Sequence, residues 1–361
     1  MQISKEIKKS THEKVIYLHD PSSNLKAIIA VHSTVMGPSL GGCRMMPYLS
    51  EEEALADVLR LSEGMTYKAA IAGLNLGGGK AVILADPQTD KNENLLKAFG
   101  RFINQLEGKY ITAEDMGMTV NDMEIIKKTT NYVTGLSQSL GGSGDPSDFT
   151  SYGAYVGIKA ASKFKFQKES LNGLSIVVQG LGSVGLKLIN YLSKYDMKIY
   201  VNDIDPKKIK ECISDYDVTP ISNDEIYDLD ADIFCPCAIG AVVNDKTINN
   251  LKFKIIAGAA NNILEDYNKH GQILLDKNIL YAPDYVINSG GLINIYNEIQ
   301  SKYNRSTVYG QVDRIYDSLM NIFEISQKEN KPTNKVSDKL AADIIHSKKE
   351  SATIPVLNKF E

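Results

Sequence analysis

The sequence predicts an α/β protein of two domains, and three observations carry that prediction. At 361 residues the chain is longer than one typical domain, which sets an expectation of about two. Its first part alternates short apolar strands with segments of helical spacing, the pattern of a layered α/β domain. From residue 174 a continuous apolar strand runs straight into a glycine-rich turn and a helix, and further short strands follow to about Asn288. Residues 1–148 are read as the first domain, 149–330 as the second, and 331–361 as a helical segment returning to the first.

Each element has its own signal. Residues 25–32 (LKAIIAVH) read as a strand, and Ser50 ahead of Glu51, Glu52 and Glu53 reads as the N-cap and acidic first turn of a helix ending at Glu63. Residues 81–85 form a short strand stopped by Asp86-Pro87, Leu95, Leu96, Phe99 and Ile103 give 92–105 a helical face, and 110–113 return as a strand. The glycine-rich residues 135–153 are expected to be a loop and a hinge, followed by a helix over 155–165. In the second domain, strands are expected at 174–179, 198–203, 233–235, 255–257 and 279–281, with a helix at 186–192. The chain beyond Gly291 is helical in pattern to Ser326 and again over 336–347.

Composition narrows the function. A net charge of −4 gives no general attraction to nucleic acid or to an anionic membrane, so any phosphate site must be local and the partners are expected to be small molecules. With 43% hydrophobic and 23% charged residues and no apolar run of membrane-spanning length, a cytoplasmic globular protein is expected. Four cysteines are too few and scattered for a disulfide framework. Cys235-Pro236-Cys237 lacks metal-site spacing, so packing is expected there and no metal is expected anywhere.

Two stretches carry chemistry. Residues 64–80 set Lys68 and Lys80 at the borders of a glycine-rich apolar segment. Desolvation and a second cation both lower an amine's pKa, so one lysine can hold a carboxylate while the other acts as a base. A Walker phosphate loop fails here, because Leu74 stands where its first glycine belongs and Ala81 replaces its Ser/Thr. The second stretch is Gly180-Leu181-Gly182-Ser183-Val184-Gly185, between a strand and a helix and followed about 20 residues on by Asp203 at a strand end. Gly180 permits the tight turn, Gly182 admits a pyrophosphate and Gly185 lets helix pack on strand. Asp203 would bind a ribose 2′-hydroxyl and repel a 2′-phosphate, so NAD is expected over NADP. The ends of the later strands place Ala238, Asn261 and Asn288 where open α/β sheets bind ligands.

With these residues in hand, the chain resembles the amino acid dehydrogenases of the glutamate/leucine/phenylalanine/valine superfamily along nearly its whole length. The likeness rests on residues 38–45 (PSLGGCRM), the two-lysine segment, 112–117 (TAEDMG), the Gly180 fingerprint, 256–262 (IAGAANN) and 282–291 (APDYVINSGG). It implies an N-terminal substrate and oligomerisation domain, a Rossmann-type NAD-binding domain, and NAD-dependent oxidative deamination of an L-amino acid to a 2-oxo acid and ammonia. It further implies that Lys68 pairs with the substrate α-carboxylate, Lys80 activates water, and Asp115 exchanges protons with the amino group. Asn261 would lie near the nicotinamide and the amino group, Thr150 and Asn288 would help seat the nicotinamide, and Glu114 would tune the site. A homo-oligomer is implied, octameric in the leucine-specific branch.

Glutamate-specific members carry a lysine just before the Gly-Gly-x-Arg motif, and here Leu40 precedes Gly41. A substrate side-chain carboxylate facing leucine would lose both water and partner, at a cost of several kcal/mol. Leucine and other branched chains are therefore expected, with phenylalanine as the alternative, because pocket volume discriminates by only about 1–3 kcal/mol per methylene. Two rivals are a hydroxy-acid dehydrogenase, weakened because none of the five histidines lies in a motif, and an NAD-binding sensor, weakened because both lysines and Asp115 are present.

Overall fold

The computed structural model describes residues 7, 10–238, 240–300 and 303–353 of the chain. They form two compact units: residues 1–145 with 295–303 and 341–361, and residues 146–294 with 304–340. The sequence reading places the change of domain at 148/149, assigns 295–303 to the second domain and sets the return at 331. By contact the units change at Asp145/Pro146, 295–303 group with the first unit, and the return begins at Ala341.

The first unit is built on a five-stranded sheet of order β1-β2-β4-β3-β5, from Lys14–Asp20, Leu25–Ser33, Ser39–Met46, Gly77–Leu84 and Tyr110–Glu114. β1 and β2 pair antiparallel, β2 and β4 antiparallel, and β3 runs parallel to both β4 and β5. Helix α1, Glu51–Ile71, starts at Ser50, whose side chain accepts from the Glu53 N–H as expected of an N-cap. Expected to stop at Glu63, the helix continues to Ile71, so Lys68 lies in its last turn. Gly64 costs the helix about 1 kcal/mol relative to alanine, but Thr66, Ala69 and Ala70 beyond it are buried and hold the last turns in place. Helices α2, Glu93–Asn104, and α3, Val120–Lys127, follow, and α2 turns Leu95, Leu96, Phe99 and Ile103 into the core beneath the sheet.

Three glycines explain why β4 begins at Gly77 rather than at the expected Ala81. A Cβ on Gly77 would lie 1.9 Å from the Ser33 carbonyl oxygen, and one on Gly78 would lie 2.1 Å from Thr66 Oγ1 and 2.2 Å from the Thr66 backbone nitrogen. On Gly79 it would meet the Tyr110 ring at 2.7 Å. Glycine inside a strand marks close approach by a neighbour, here β2, α1 and β5 in turn.

The second unit is a six-stranded parallel sheet of order β11-β10-β9-β6-β7-β8, comprising Ser175–Gln179, Lys198–Asn202, Thr219–Pro220, Ile233–Pro236, Ile255–Ile256 and Leu280–Tyr281. Helix α4, Ser147–Phe166, begins well before the expected 155, which puts Thr150 and Gly153 in a helix and leaves only its first part as loop. Gly153 stands in the helix where a Cβ would meet the Ile287 carbonyl at 3.0 Å, so the helix packs closely on that segment. Helix α5, Ser183–Leu192, follows the glycine turn directly. α6 is Pro206–Asp215, α7 Tyr267–Asp276, α8 Asp284–Ile287 and α9 Gly290–Ile299; α10, Arg305–Val312, α11, Arg314–Glu329, and α12, Thr333–Thr353, complete the chain. Among the described residues no helix is long and apolar enough to cross a membrane.

A buried polar cluster fastens α1 to β2. His32 Nδ1 bonds Thr66 Oγ1 at 2.8 Å, His12 Nε2 bonds Ser62 Oγ at 2.8 Å, and the two imidazoles meet edge to face with centroids 4.7 Å apart. Burial, reinforced by neighbouring His12 against a smaller opposing effect of Glu13, lowers the His32 pKa to about 4. The folded state therefore binds fewer protons than the unfolded chain between pH 6.5 and about 4, and stability is lost as pH falls through that window. Urea unfolding followed from pH 7 to pH 4 should lose about 3 kcal/mol through this group. The same series on His32→Gln should show that part of the slope removed.

Candidate active site

Strand β3 lies between β4 and β5, and its glycines bring the flanking chain close on both sides. Gly41 pairs with Thr112 and Gly42 with Ala113, while Leu40 pairs with Gly78. A Cβ on Gly41 would lie 1.7 Å from the Gly79 carbonyl oxygen, and one on Gly42 would lie 2.8 Å from the Asp115 Cβ. Over this bare stretch Lys80 of β4 and Asp115, just past β5, form an ion pair at Asp115 Oδ2. Lys80 is 6% exposed, and Leu40, in register with Gly78, is 1% exposed. The pair thus sits in a largely dehydrated setting where charge interactions are strong.

Asp115 has further partners. Its Oδ1 accepts from the Met116 N–H at 2.7 Å, and Arg44 Nε lies 3.6 Å from Oδ2. Burial works to raise its pKa, but Lys80, Arg44 and the Met116 N–H outweigh that and hold the carboxyl below its usual range. Glu114 moves the other way, raised by burial and then by the negative charges of Asp145, Asp115 and Glu298. Lys68 is half-buried in the last turn of α1, the helix whose Thr66 abuts Gly78. Cys43, one strand residue beyond Gly42, is fully buried, and burial pushes its thiol up, which makes it a packing group rather than a reactive one.

In the second unit, the expected residues gather at the carboxyl edge of the parallel sheet. Gly180 has φ +101°, and a Cβ there would lie 2.6 Å from the Ala238 Cβ, so only glycine makes this turn. Gly185 packs α5 on the turn, since its Cβ would lie 2.0 Å from the Gly180 carbonyl. Gly182 is the N-cap of α5 without a side-chain cap, and a Cβ on it would meet no atom within 4 Å. The first amides of α5, at Ser183 and Val184 behind Gly182, therefore form a helix start without a side-chain cap and with a bare outer side, a fit for a pyrophosphate, while the Leu181 amide is taken by Asp203.

Asp203, one residue past β7, accepts from the Leu181 N–H at 2.6 Å and from the Asp205 N–H at 2.9 Å. Burial tends to raise its pKa, but these amides and Lys208 hold it ionised below the usual range. Asn261 is exposed, and its Oδ1 accepts from Asn288 Nδ2 at 2.7 Å. Thr150 Oγ1 donates to the Pro146 carbonyl at 3.1 Å and would be 2.7 Å from a Cβ on Gly291, so α4 and the start of α9 lie side by side. The residues present thus fit a dinucleotide.

One anchor escaped the sequence reading. Glu298 accepts from Thr134 Oγ1 at 2.7 Å and the Gly135 N–H at 2.9 Å through Oε1, and from the Ser143 N–H at 2.9 Å and Oγ at 2.7 Å through Oε2. It ties α9 to the loop that follows α3, which is itself joined to β5 by the Thr134 N–H donating to the Thr112 carbonyl. No sequence pattern pairs a glutamate with a loop more than 150 positions away. Glu298→Ala should cost about 2 kcal/mol in chemical denaturation. It should also speed hydrogen exchange at the Gly135 and Ser143 amides by tenfold or more.

Comparison with known proteins places the chain. Residues 12–132 match the family model described as Glu/Leu/Phe/Val dehydrogenase, dimerisation domain, and residues 200–349 match that of glutamate/leucine/phenylalanine/valine dehydrogenase. The leucine dehydrogenase of Thermoactinomyces intermedius is 48% identical over 345 residues, which are 96% of this chain and 94% of that one. An L-tryptophan dehydrogenase of Nostoc punctiforme is 46% identical over 97% of this chain and 98% of its own length. The crystal structure of L-tryptophan dehydrogenase from Nostoc punctiforme superposes with a TM-score of 0.85 at 44% identity, covering 96% of this chain and 99% of that one. With matched sequence over nearly its full length and a nucleotide turn and buried lysine in place, this chain belongs to the Glu/Leu/Phe/Val dehydrogenase family of amino acid dehydrogenases.

Proposed function

We propose that the protein catalyses the reversible, NAD-dependent oxidative deamination of L-leucine and other branched-chain L-amino acids to 2-oxo acids and ammonia. The observation that carries this reading is the buried Lys80–Asp115 ion pair, formed across β3 where Gly42 adjoins Asp115, on a strand that also carries the buried apolar Leu40. Leucine dehydrogenases at 46–48% identity support it.

In this reading Lys68 holds the substrate α-carboxylate, while Leu40 and Gly41 border the side chain and offer it no cation. Asp115, kept ionised, takes a proton from the substrate ammonium group. When bound, NAD would supply a hydride acceptor for the α-carbon, whose oxidation would leave an iminium. Lys80 then removes a proton from the water that attacks the iminium carbon, and Asp115 returns a proton to the nitrogen of the resulting carbinolamine; as the C–N bond breaks and ammonia departs, the hydroxyl gives its proton to solvent and becomes the 2-oxo carbonyl. Asn261 steadies the amino group and the nicotinamide, with Thr150, Ala238 and Asn288 on the nicotinamide side. Gly180 and Leu181 shape the turn, the amides at the start of α5 from Gly182 to Gly185 hold the pyrophosphate, and Asp203 holds the ribose hydroxyls. The protein works as a homo-oligomer in this reading, an octamer, built through the dimerisation domain at residues 12–132.

Initial rates of NADH formation with leucine, valine, isoleucine, phenylalanine, tryptophan and glutamate test the assignment. Branched-chain turnover is expected, with ammonia required in reverse and loss of at least a thousandfold in Lys80→Ala; no turnover with any substrate would overturn it. The second reading is an aromatic L-amino acid, favoured by the 46% identical tryptophan dehydrogenase, and it predicts preference for phenylalanine or tryptophan. For the cofactor, Asp203→Ala combined with Ile204→Arg, at an 89% exposed position, should raise the ratio of kcat/KM for NADP over NAD at least tenfold. An unchanged ratio would show that Asp203 does not face the ribose.

A further inference from the structure

Arg44 stands between two carboxylates and is bonded to only one of them. Its Nη1 donates to Asp57 Oδ2 at 2.8 Å, and the same Asp57 oxygen accepts from the Tyr48 hydroxyl at 2.8 Å. Asp57 Oδ1 accepts from Arg60 Nη2 at 2.9 Å, so both oxygens of Asp57 are engaged and the guanidinium is held from behind. On its other side, the buried Arg44 Nε makes no hydrogen bond among the described residues. It lies 3.6 Å from Asp115 Oδ2, too far for a hydrogen bond but close enough for a strong charge interaction, and that is the oxygen paired with Lys80.

A buried donor without a partner is costly, and it is tolerated here by a guanidinium that Asp57 fixes in place. For Lys80 to act on water, its amine must leave Asp115, which would strand a carboxylate that is only 25% exposed. Arg44 Nε, 3.6 Å from that oxygen and without a hydrogen bond of its own, needs a shift of about half an ångström to come within hydrogen-bond distance. We propose that Arg44 is a positioning residue for the deamination chemistry: it receives Asp115 when Lys80 lets go, so that the carboxylate keeps its place and its charge through the proton transfers. This rests on the reading of Lys80 and Asp115 given above.

The groups that face Asp115 are Lys80 from β4, Cys43 and Arg44 from β3, and Glu114 and Tyr110 from β5, with Tyr48 beyond Arg44. Only Lys80 and Arg44 among these bring positive charge, and both favour the ionised carboxylate. Removing Arg44 therefore moves the protonation of Asp115 to higher pH, and the acidic limb of activity with it.

The test compares Arg44→Gln, Arg44→Lys and Asp115→Asn in the full chain, by pH profiles of kcat and kcat/KM for L-leucine with NAD. Arg44→Gln is expected to lower kcat ten- to a hundredfold, leave the KM for NAD unchanged and move the acidic limb up by about one pH unit or more. Arg44→Lys should restore most of the limb's position while kcat stays low, since a single ammonium cannot hold Asp57 and face Asp115 at once. If Arg44→Gln does not fold, reduced kcat with unchanged KM in Arg44→Lys still supports the role, and wild-type kcat in that variant overturns it. Wild-type kcat with an unmoved acidic limb in Arg44→Gln also overturns it, as does a lowered melting temperature alone. Wild-type turnover by Asp115→Asn would overturn the reading of the site and this inference with it, whereas an inactive Asp115→Asn beside an unaffected Arg44→Gln would overturn the inference alone.

Discussion

The first unit depends on one steric constraint, the absence of side chains where β3 crosses between β4 and β5. Gly41 and Gly42 bring three backbones and the Asp115 side chain to distances that a methyl group would forbid. Adjacent strands lie about 4.8 Å apart, so Lys80 and Asp115 reach each other across β3, where Gly42 has no Cβ to crowd the Asp115 side chain. Gly78 extends the constraint to α1, whose Thr66 fills the space its Cβ would take, and it is this helix that carries Lys68. Packing and chemistry are thus the same feature, and the cluster of His12, His32, Ser62 and Thr66 holds that helix to the sheet.

Electrostatics follow from that geometry. A carboxylate driven into a largely buried place would take up a proton if left alone. Asp115 stays ionised because Lys80 and Arg44 flank it, while its neighbour Glu114, facing Asp145, Asp115 and Glu298, is pushed toward the neutral form. Two adjacent residues on one strand end thereby hold opposite tendencies, set by which way each side chain turns. In the second unit the same economy appears in Asp203, which is held ionised by amides of the turn it adjoins and by Lys208.

The comparisons and the site bear on different questions. Family models over 12–132 and 200–349 and relatives near 47% identity fix the class of enzyme. The relatives include enzymes named for leucine, tryptophan and phenylalanine at 46–48% identity, so overall likeness leaves the side-chain preference to the pocket. In the proposed reading Leu40, buried on β3, borders that pocket and would disfavour a charged side chain.

Much was legible in the sequence wherever a signal is local. The Ser50 cap, the helical face of α2, the strands after Leu174 and the Gly180 turn all depend on residues within one turn or one strand of each other. The end of α1, the start of α4 and the glycine half of β4 were misjudged because each is a conflict between local preference and distant packing, and packing prevailed. Family motifs in the sequence named Lys68, Lys80, Asp115 and the nucleotide-site residues, but not the strand that must be bare between two of them. Only the tertiary structure decided that Arg44 faces Asp115 and that Glu298 clamps the loop at Thr134 to Ser143, since hydrogen bonds and charges act through space while a sequence records only order along the chain.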